Sequence, residues 1–229
     1  MTTTYTLEGK VATVVMDDGK ANALSQPMIQ SLLESLKRAE SEAGALVLAG
    51  RPERFSAGFD LRVMMSGPAQ AVELLTAGSG LLLALYGSPI PVVIACTGHA
   101  VAGGALVVLT GDYRIGAAGA FKIGLNEVSI GLPVPVLAME LARDRLSKRE
   151  IHHATLLAKI YDPEAGVRAG YLDEVVAPDA VISRAQEEAT RLAAFGKMPY
   201  RATKERLRGK TIALIRDSLA SDLASLLPA

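Results

Sequence analysis

The sequence predicts an α/β fold in which buried strands alternate with helices, and two observations carry this prediction. Three short apolar runs, at residues 11–16, 45–49 and 92–96, are separated by stretches of helical composition. Near-continuous apolar strands of this kind are typical of sheets that are covered on both faces. Half of the 229 residues are hydrophobic but only 4% are aromatic, so the chain can build one large core from small apolar side chains.

The first strand–helix–strand unit has clear boundaries. The β-branched run at 11–16 ends in a DDG turn, which is a common end for a strand. Ser25 and Pro27 then supply an N-cap and an early proline, and apolar residues recur after them at helical spacing. We expect this helix to end near Gly44 and the strand at 45–49 to follow it.

The next elements lie in a stretch without charged residues, from Leu74 to Gly111. A membrane-spanning helix needs about 20 consecutive apolar residues, but glycines, prolines and one histidine interrupt this stretch. We therefore predict buried core elements and no contact with a membrane. These elements are a helix over residues 69–86, the strand at 92–96 and a helix over residues 105–109.

The second half of the chain predicts two further strands, at residues 113–115 and 172–176. Between them, Asp162 and Pro163 supply an N-cap and a proline at the first helical position, and Gly170 ends that helix. This half therefore continues the alternation of strands and helices.

From residue 178 onward the chain is charged and helix-forming. We predict a core over residues 1–180 and a C-terminal helical region over residues 181–229, which together form one functional unit. Three residues are expected to interrupt the helical region: Gly196, Pro199 and Gly209.

The composition excludes several classes of function. The 24 Lys and Arg residues balance 24 Asp and Glu residues, so no basic surface for nucleic acid or an anionic membrane is expected. The single cysteine, Cys96, cannot form an internal disulfide or a cysteine-built zinc site. His99, His152 and His153 lack metal-ligand spacing with carboxylates, so no metal site is predicted. A reducing, cytoplasmic setting is expected, and the N-terminus has no signal-peptide pattern.

Two glycine-containing segments each follow a short apolar strand. They are residues 55–61 (FSAGFDL) and residues 97–104 (TGHAVAGG). Glycine lets a backbone amide approach a ligand closely, and the start of a helix adds the positive end of its dipole. Two such amides that converge on one oxygen would form an oxyanion hole, although either segment alone is also compatible with a plain turn.

Together with other segments, these two resemble the crotonase (enoyl-CoA hydratase/isomerase) superfamily. The order and spacing of the segments agree over most of the chain, which is more specific than any single motif. The resemblance implies a spiral of ββα repeats with a C-terminal helical region, assembled as a homotrimer or a dimer of trimers. The other matching segments are residues 22–24 (NAL), 91–99 (PVVIACTGH), 102–104 (AGG), 111–115 (GDYRI), 124–132 (GLNEVSIGL) and 169–176 (AGYLDEVV).

The resemblance also implies the site residues. The backbone amides of Phe59 and Gly103 would bind the thioester carbonyl of an acyl-CoA, with the Phe59 side chain incidental to that role. Coenzyme A would enter as part of the substrate, and no tightly bound cofactor is expected. Four positions match the family's CoA site: Lys20, Ala21, Ala57 and Leu61. A weaker match suggests that Lys204 approaches a CoA phosphate, the alternative being a solvent-facing lysine.

The choice of reaction depends on two positions. The family's hydratases use two glutamates, and here the first position is Leu106 while the second is Glu127, preceded by Asn126 in place of the usual proline. One carboxylate can move a proton from C2 to C4 of a 3-enoyl thioester. Adding water requires activating the water and delivering a proton to C2, and two carboxylates divide these steps naturally. Leu106 would add an apolar wall that excludes water. We therefore predict isomerisation of 3-enoyl-CoA to 2-enoyl-CoA, with hydration and an acyl-CoA-binding pseudoenzyme as alternatives.

Overall fold

A computed structural model describes residues 2–226, and the bounds of its helices and strands are as follows. The strands are Thr3–Glu8 (β1), Val11–Met16 (β2), Ala45–Ala49 (β3), Glu53–Ser56 (β4), Val92–Cys96 (β5), Gly98–Val101 (β6), Tyr113–Ala117 (β7), Ile123–Gly124 (β8) and Glu174–Val176 (β9). The α-helices are Gln26–Glu42 (α1), Leu61–Met64 (α2), Pro68–Gly87 (α3), Gly103–Thr110 (α4), Val136–Arg145 (α5), Ile151–Thr155 (α6), Pro163–Ala169 (α7), Val181–Ala193 (α8) and Lys197–Leu226 (α9). Two 3-10 turns complete the description, at Val128–Ile130 and Pro178–Ala180.

The strands form two sheets that the chain visits in turn. The larger sheet has the order β1-β2-β3-β5-β7-β9 and the smaller one the order β4-β6-β8. Only β1 and β2 pair antiparallel; the other strand pairs are parallel. From β3 onward the chain adds one strand to each sheet and then returns through helices. This winding confirms the predicted α/β fold, a spiral of ββα repeats.

The central strands of the larger sheet are buried on both faces. In β3, Leu46 and Leu48 belong to the main core cluster, while Val47 and its neighbours belong to a second cluster on the opposite face. This alternation follows from the two-residue period of a strand. Helix α8 covers the second face with Val181 and Ala185 among its contributions. The first helix of the predicted C-terminal region therefore packs directly on the sheet of the core.

Helix α3 accounts for much of the uncharged stretch. By length and composition it could cross a membrane, but Leu74, Leu81, Leu82 and Leu85 are each at most 1% exposed and lie in the main core cluster. The helix is apolar because it is buried inside the protein, and it is one of the buried core elements that the sequence predicts.

Helix α9 runs without a break, although Pro199 and Gly209 were expected to interrupt it. Pro199 lies in the first turn, where a missing amide costs little, and a glycine inside a helix costs only about 1 kcal/mol. Ile215 and Leu223 of this helix are buried, so tertiary packing outweighs that cost. Gly196 alone precedes a helix start as predicted.

Three short strands lie in or near segments that the sequence assigns to turns. Strand β4 occupies the start of the first glycine-containing segment, β6 lies inside the second, and β8 comes shortly before Glu127. They have two to four residues each and pair with one another to form the smaller sheet. Sequence periodicity cannot identify strands this short. Their pairing aligns the ends of three spiral turns, and the candidate site lies there.

Candidate active site

A buried asparagine holds the first glycine-containing segment in place. The side-chain amide of Asn22, which is fully buried, donates hydrogen bonds to the carbonyls of Met16, Arg54 and Phe55 at 3.0–3.2 Å. In return, the Ser56 hydroxyl donates to the Asn22 carbonyl at 2.7 Å. Asn22 itself has φ 51°, a left-handed conformation that asparagine tolerates better than most residues. These bonds fix β4 against the end of β2.

The loop after β4 is held along its other side by backbone pairing. The Leu24 amide donates to the Gly58 carbonyl at 2.8 Å, and the Asp60 amide donates to the Leu24 carbonyl at 3.4 Å. The amide of Phe59 lies between these two bonds and takes part in neither. Pairing on both sides of it therefore fixes this amide without using its hydrogen.

The amides of Phe59 and Gly103 come together at Gly58. A Cβ added to Gly58 would lie 2.9 Å from the Gly103 nitrogen, and Gly58 has φ 88°, so only glycine fits this close approach. Within residues 2–226, neither amide donates to a protein acceptor. Gly103 is also the first residue of α4, where the helix dipole is positive. Two amide donors without a protein acceptor therefore lie near each other, one after β4 and one at the start of α4.

Backbone strain accompanies this arrangement. Ala102 has φ 49° and ψ −126°, a conformation that costs on the order of 1–3 kcal/mol for a residue with a side chain. Its amide donates to the Gly124 carbonyl at 3.0 Å, so β8 holds the strained residue. A Cβ added to Gly104, two residues further on, would lie 2.2 Å from the Ser56 carbonyl oxygen. The strained turn therefore presses the start of α4 against the end of β4.

The side chain of Phe59 has a structural role that the sequence interpretation did not assign. A Cβ added to Gly78 of α3 would lie 2.2 Å from the Phe59 ring, and one added to Gly103 would lie 3.0 Å from it. The ring therefore packs tightly against two glycines on different helices. We conclude that the side chain helps to hold the segment that carries its own amide.

Glu127 lies at the start of the 3-10 turn that follows β8. Its carbonyl accepts the amides of Ile130 at 3.1 Å and Leu132 at 3.0 Å, so the backbone around it is fixed. The residue is 8% exposed, and its Oε2 is buried without a hydrogen-bond partner among the described residues. Burial raises the pKa of the Glu127 carboxyl above its usual value of 4.5. A carboxylate of raised pKa is suited to take up and return a proton.

Phe59, Gly103 and Glu127 all line one cavity of about 190 Å³. Among the described residues that line it, only two have polar side chains, Asn126 and Glu127. The cavity is therefore a mostly apolar space with a few polar groups, which is the usual character of a small-molecule site. Its lining residues are Ala57, Phe59, Leu61, Met64, Leu75, Val101, Ala102, Gly103, Leu106, Asn126, Glu127, Ile130, Leu132, Pro133 and Pro135.

Most of the residues predicted from the sequence meet at this cavity. Ala57, Leu61 and Leu106 line it together with the three proposed catalytic residues. Ala21 lies beside it, because the Ala57 amide donates to the Ala21 carbonyl at 3.0 Å. Lys20 precedes Ala21 and is exposed to solvent.

Lys204 lies elsewhere, and both expectations for it are corrected. Its ammonium donates to the carbonyls of Ser88 at 2.9 Å and Ile90 at 3.1 Å and to Asp112 Oδ2 at 2.6 Å. The residue is 6% exposed. Burial lowers the pKa of Lys204 to about 8, while Asp112 acts in the opposite direction. Because three acceptors use its three protons, the side chain is neither solvent-facing nor free to bind a CoA phosphate.

Several wall residues were not singled out from the sequence. Met64 and Leu75 come from α2 and α3, and Leu132, Pro133 and Pro135 come from the segment between Glu127 and α5. The two closely spaced prolines were a usable signal, since they predict an extended, stiff segment. Within residues 2–226, no group of three or more His, Cys, Asp or Glu side chains could hold a metal ion.

Two free amides and a buried carboxylate whose residues line one apolar cavity are groups that can form and stabilise an enolate next to a carbonyl group. Comparison with known proteins identifies the family. The enoyl-CoA hydratase/isomerase family model matches residues 6–222, and the chain belongs to this family of enzymes.

Individual relatives agree with the family but differ in their reactions. The mitochondrial enoyl-CoA delta isomerase 1 of Homo sapiens is 31% identical over 94% of this chain and 70% of its own length. The crystal structure of an enoyl-CoA hydratase from Mycobacterium ulcerans has a TM-score of 0.93 and 40% identity, over 97% of this chain and 99% of its own. An enoyl-CoA isomerase of Mycobacterium tuberculosis has a TM-score of 0.92 and 39% identity, over 96% and 98%. The chain is thus similarly close to structures of both kinds.

Proposed function

We propose that the protein isomerises 3-enoyl-CoA to 2-enoyl-CoA, with Glu127 as its single acid/base. The observation that carries this proposal is that Glu127 is the only ionisable side chain among the described residues that line the cavity. The position that would supply a second carboxylate is Leu106, which is 3% exposed. One proton-transfer group in an apolar space matches a reaction in which one proton leaves and one returns.

In the proposed reaction, the amides of Phe59 and Gly103 bind the thioester oxygen. The Glu127 carboxylate removes a proton from C2, and the C–H electron pair moves into the thioester to give a dienolate whose negative charge lies on that oxygen. The protonated Glu127 then gives its proton to C4 while the electrons return to form the C2–C3 double bond. Each amide donor of such a site is worth about 3–4 kcal/mol of transition-state stabilisation.

Burial fits Glu127 to both halves of this cycle. A carboxylate whose pKa is raised by burial is a stronger base than an exposed one. Since its Oε2 has no protein partner, no hydrogen bond has to break before the proton is taken. Leu106 leaves the opposite wall without a group that could activate water.

Hydration of 2-enoyl-CoA is the second candidate, and one observation favours it. Asn126 Oδ1 and Glu127 Oε2 are both buried acceptors without a partner among residues 2–226, and buried acceptors of this kind are often paired with an ordered water. Hydration by this route would still require Glu127 to activate that water. The similar proteins include isomerases and hydratases, so the comparisons favour neither reaction.

The deciding experiment compares the purified protein with Glu127→Gln on 3-enoyl-CoA and 2-enoyl-CoA, followed spectrophotometrically. We expect isomerase turnover in the wild type and a loss of about 10²–10⁴-fold in kcat for the variant, because a positioned acid/base contributes about that much. The matched control is Glu8→Gln, which removes an exposed carboxylate at the end of β1 and should leave kcat unchanged.

Three results would contradict the proposal in different ways. Faster hydration than isomerisation by the wild type would assign the second candidate. Tight binding of acyl-CoA without turnover would identify a pseudoenzyme. Isomerase activity that survives Glu127→Gln would show that another group is the base.

A further inference from the structure

His99 is an ionisable residue of the smaller sheet that the proposed reaction does not use. It lies on β6, is half-buried, and packs edge-on against the ring of Phe121 with 5.4 Å between the ring centroids. Its Nδ1 accepts the Lys122 amide at 3.0 Å. A neutral imidazole has one acceptor nitrogen, whereas a protonated one donates from both. The hydrogen bond to the Lys122 amide therefore requires a neutral ring with its proton on Nε2.

This hydrogen bond lies where β8 joins β6. The Lys122 carbonyl accepts the Ala100 amide at 2.9 Å, so residues of β6 bind both the amide and the carbonyl of Lys122. The two residues of β8, Ile123 and Gly124, follow directly and pair with Ala100 and Val101. Because the paired segment is so short, a side-chain hydrogen bond at its start contributes much of its alignment.

Strand β8 in turn positions two parts of the candidate site. The Gly124 carbonyl accepts the Ala102 amide at 3.0 Å, and Ala102 is the strained residue directly before Gly103. Glu127 follows Gly124 by three residues. A shift of β8 would therefore move both the Gly103 amide and the Glu127 carboxylate. A misplacement of about 1 Å in a catalytic site can lower the rate by about 10²-fold.

The surroundings of the His99 ring oppose its protonation. Burial lowers the pKa of His99 below its usual value of 6.5, and the charges of Arg54 and Lys122 lower it further, while Glu53 acts in the opposite direction. Arg54 is the β4 residue that pairs with His99 across the smaller sheet. The ring is therefore neutral at neutral pH and keeps its acceptor nitrogen.

We propose that His99 is a positioning residue whose neutral imidazole aligns β8 with β6 and so holds the Gly103 amide and Glu127 in place for the reaction. This inference rests on the proposed function, because the ring itself takes no part in the chemistry. Protonation in acid replaces the acceptor by a donor that faces the Lys122 amide. Strand β8 then loses this attachment, and turnover falls.

The test compares two substitutions of His99 in the full chain. His99→Asn keeps an acceptor oxygen close to the position of Nδ1 but does not titrate, whereas His99→Leu has no acceptor. By NMR, the Lys122 amide should exchange its hydrogen about fivefold faster in His99→Leu than in the wild type and about as fast as the wild type in His99→Asn. At neutral pH, kcat and kcat/KM on 3-enoyl-CoA should fall by the same factor, about tenfold, in His99→Leu and recover in His99→Asn.

The pH profile separates positioning from a merely structural role. In the wild type, kcat/KM should have a component that falls below pH 6.5 as His99 becomes protonated. This component should be absent from His99→Asn, which keeps the acid limb of Glu127. The matched control is His152→Asn, which replaces an exposed histidine on α6 and should behave as the wild type does. The profile needs no leucine variant, so it serves if His99→Leu does not fold.

The possible failures are distinguishable. An equal loss of kcat in both His99 variants, or a Lys122 amide that exchanges as slowly in His99→Leu as in the wild type, would overturn the inference while leaving the proposed function intact. So would a wild-type His99 ring that titrates at or above pH 6.5 by NMR. Absence of turnover by the wild type would instead overturn the proposed function itself.

Discussion

Two groups of buried polar side chains differ in whether other groups of the protein form hydrogen bonds or ion pairs with them. Around Asp112, Lys204 and Arg208 are at most 6% exposed and lie 2.6 and 2.9 Å from its carboxylate oxygens, while the Val92 amide donates to the same carboxylate at 2.7 Å. At the cavity wall, Asn126 Oδ1 and Glu127 Oε2 are buried with no hydrogen-bond partner among residues 2–226. Burial alone therefore does not identify a functional group.

The difference shows how to distinguish structural from chemical roles. Buried charges with complete partners hold segments together, and here the Asp112 group joins α9 to the strand β5 and to the end of α3. Buried polar atoms without partners cost stability, and they persist where a ligand or a proton completes them. Lys204 and Glu127 both have shifted pKa values, so a shifted pKa alone would not separate the two roles.

The largest effect is expected from breaking the satisfied group with Asp112→Ala. This change leaves Lys204 and Arg208 buried without their counter-charge, and such a change typically costs about 3–5 kcal/mol. The free energy of unfolding, measured in urea, should fall by that amount. Because Asp112 does not line the cavity, molecules that remain folded should keep their kcat.

The control for this change is Glu205→Ala, which breaks the exposed pair between Arg201 and Glu205. Surface pairs of this type are worth only about 0.3–0.5 kcal/mol, so the free energy of unfolding should hardly change. A cost below about 1 kcal/mol for Asp112→Ala would mean that water solvates the two cations, and the comparison between the groups would fail.

The Glu127 carboxylate should determine the pH dependence of kcat/KM at low pH. Glu127 must be ionised to act as a base, and burial raises its pKa above 4.5. As the pH falls below the raised pKa, kcat/KM should decrease about tenfold per pH unit, and this decrease should begin above pH 4.5. The Glu8→Gln control should have the same profile. A profile whose acid limb lies at or below pH 4.5 would mean that Glu127 is well solvated when it reacts.

A smaller effect is expected on stability when the unsatisfied charge is removed. In the folded protein Glu127 favours its protonated form, so its unfavourable contribution is absent below about pH 4.5 and appears as the pH rises through the raised folded pKa. Glu127→Gln does not titrate. Thermal unfolding should therefore show the variant gaining stability relative to the wild type as the pH rises, by less than about 2 kcal/mol at neutral pH.

Glu127 and Asp112 would then have opposite effects. Removing the Glu127 carboxylate would lower kcat and raise stability, whereas removing that of Asp112 would lower stability and leave kcat unchanged. A variant that is less stable than the wild type across the whole pH range would show instead that Glu127 is structurally satisfied. Glu8→Gln again supplies the reference, since an exposed carboxylate should change stability little at any pH.

Much of the fold could be predicted because its signals are local. The cap at Ser25 and the periodic apolar residues after it predict α1, and the side chain of Ser25 accepts the Met28 amide as expected. The runs at β3 and β5 are apolar enough to be recognised alone. By contrast, β4, β6 and β8 are too short for a periodic signal. They form because the spiral brings their edges together, and β9 begins at Glu174, two residues later than the sequence suggests.

The sequence alone determined which groups the site can contain. It has two glycine-containing segments whose backbone amides can approach a ligand. It has one glutamate, Glu127, where the family's hydratases have two, and Leu106 occupies the position of the other. Only the tertiary structure decided which polar groups have partners, because those partners come from distant parts of the chain. Lys204 meets Asp112 across 92 residues and so becomes a structural residue. Glu127 Oε2 meets no partner within the described chain, and this oxygen stays available for chemistry.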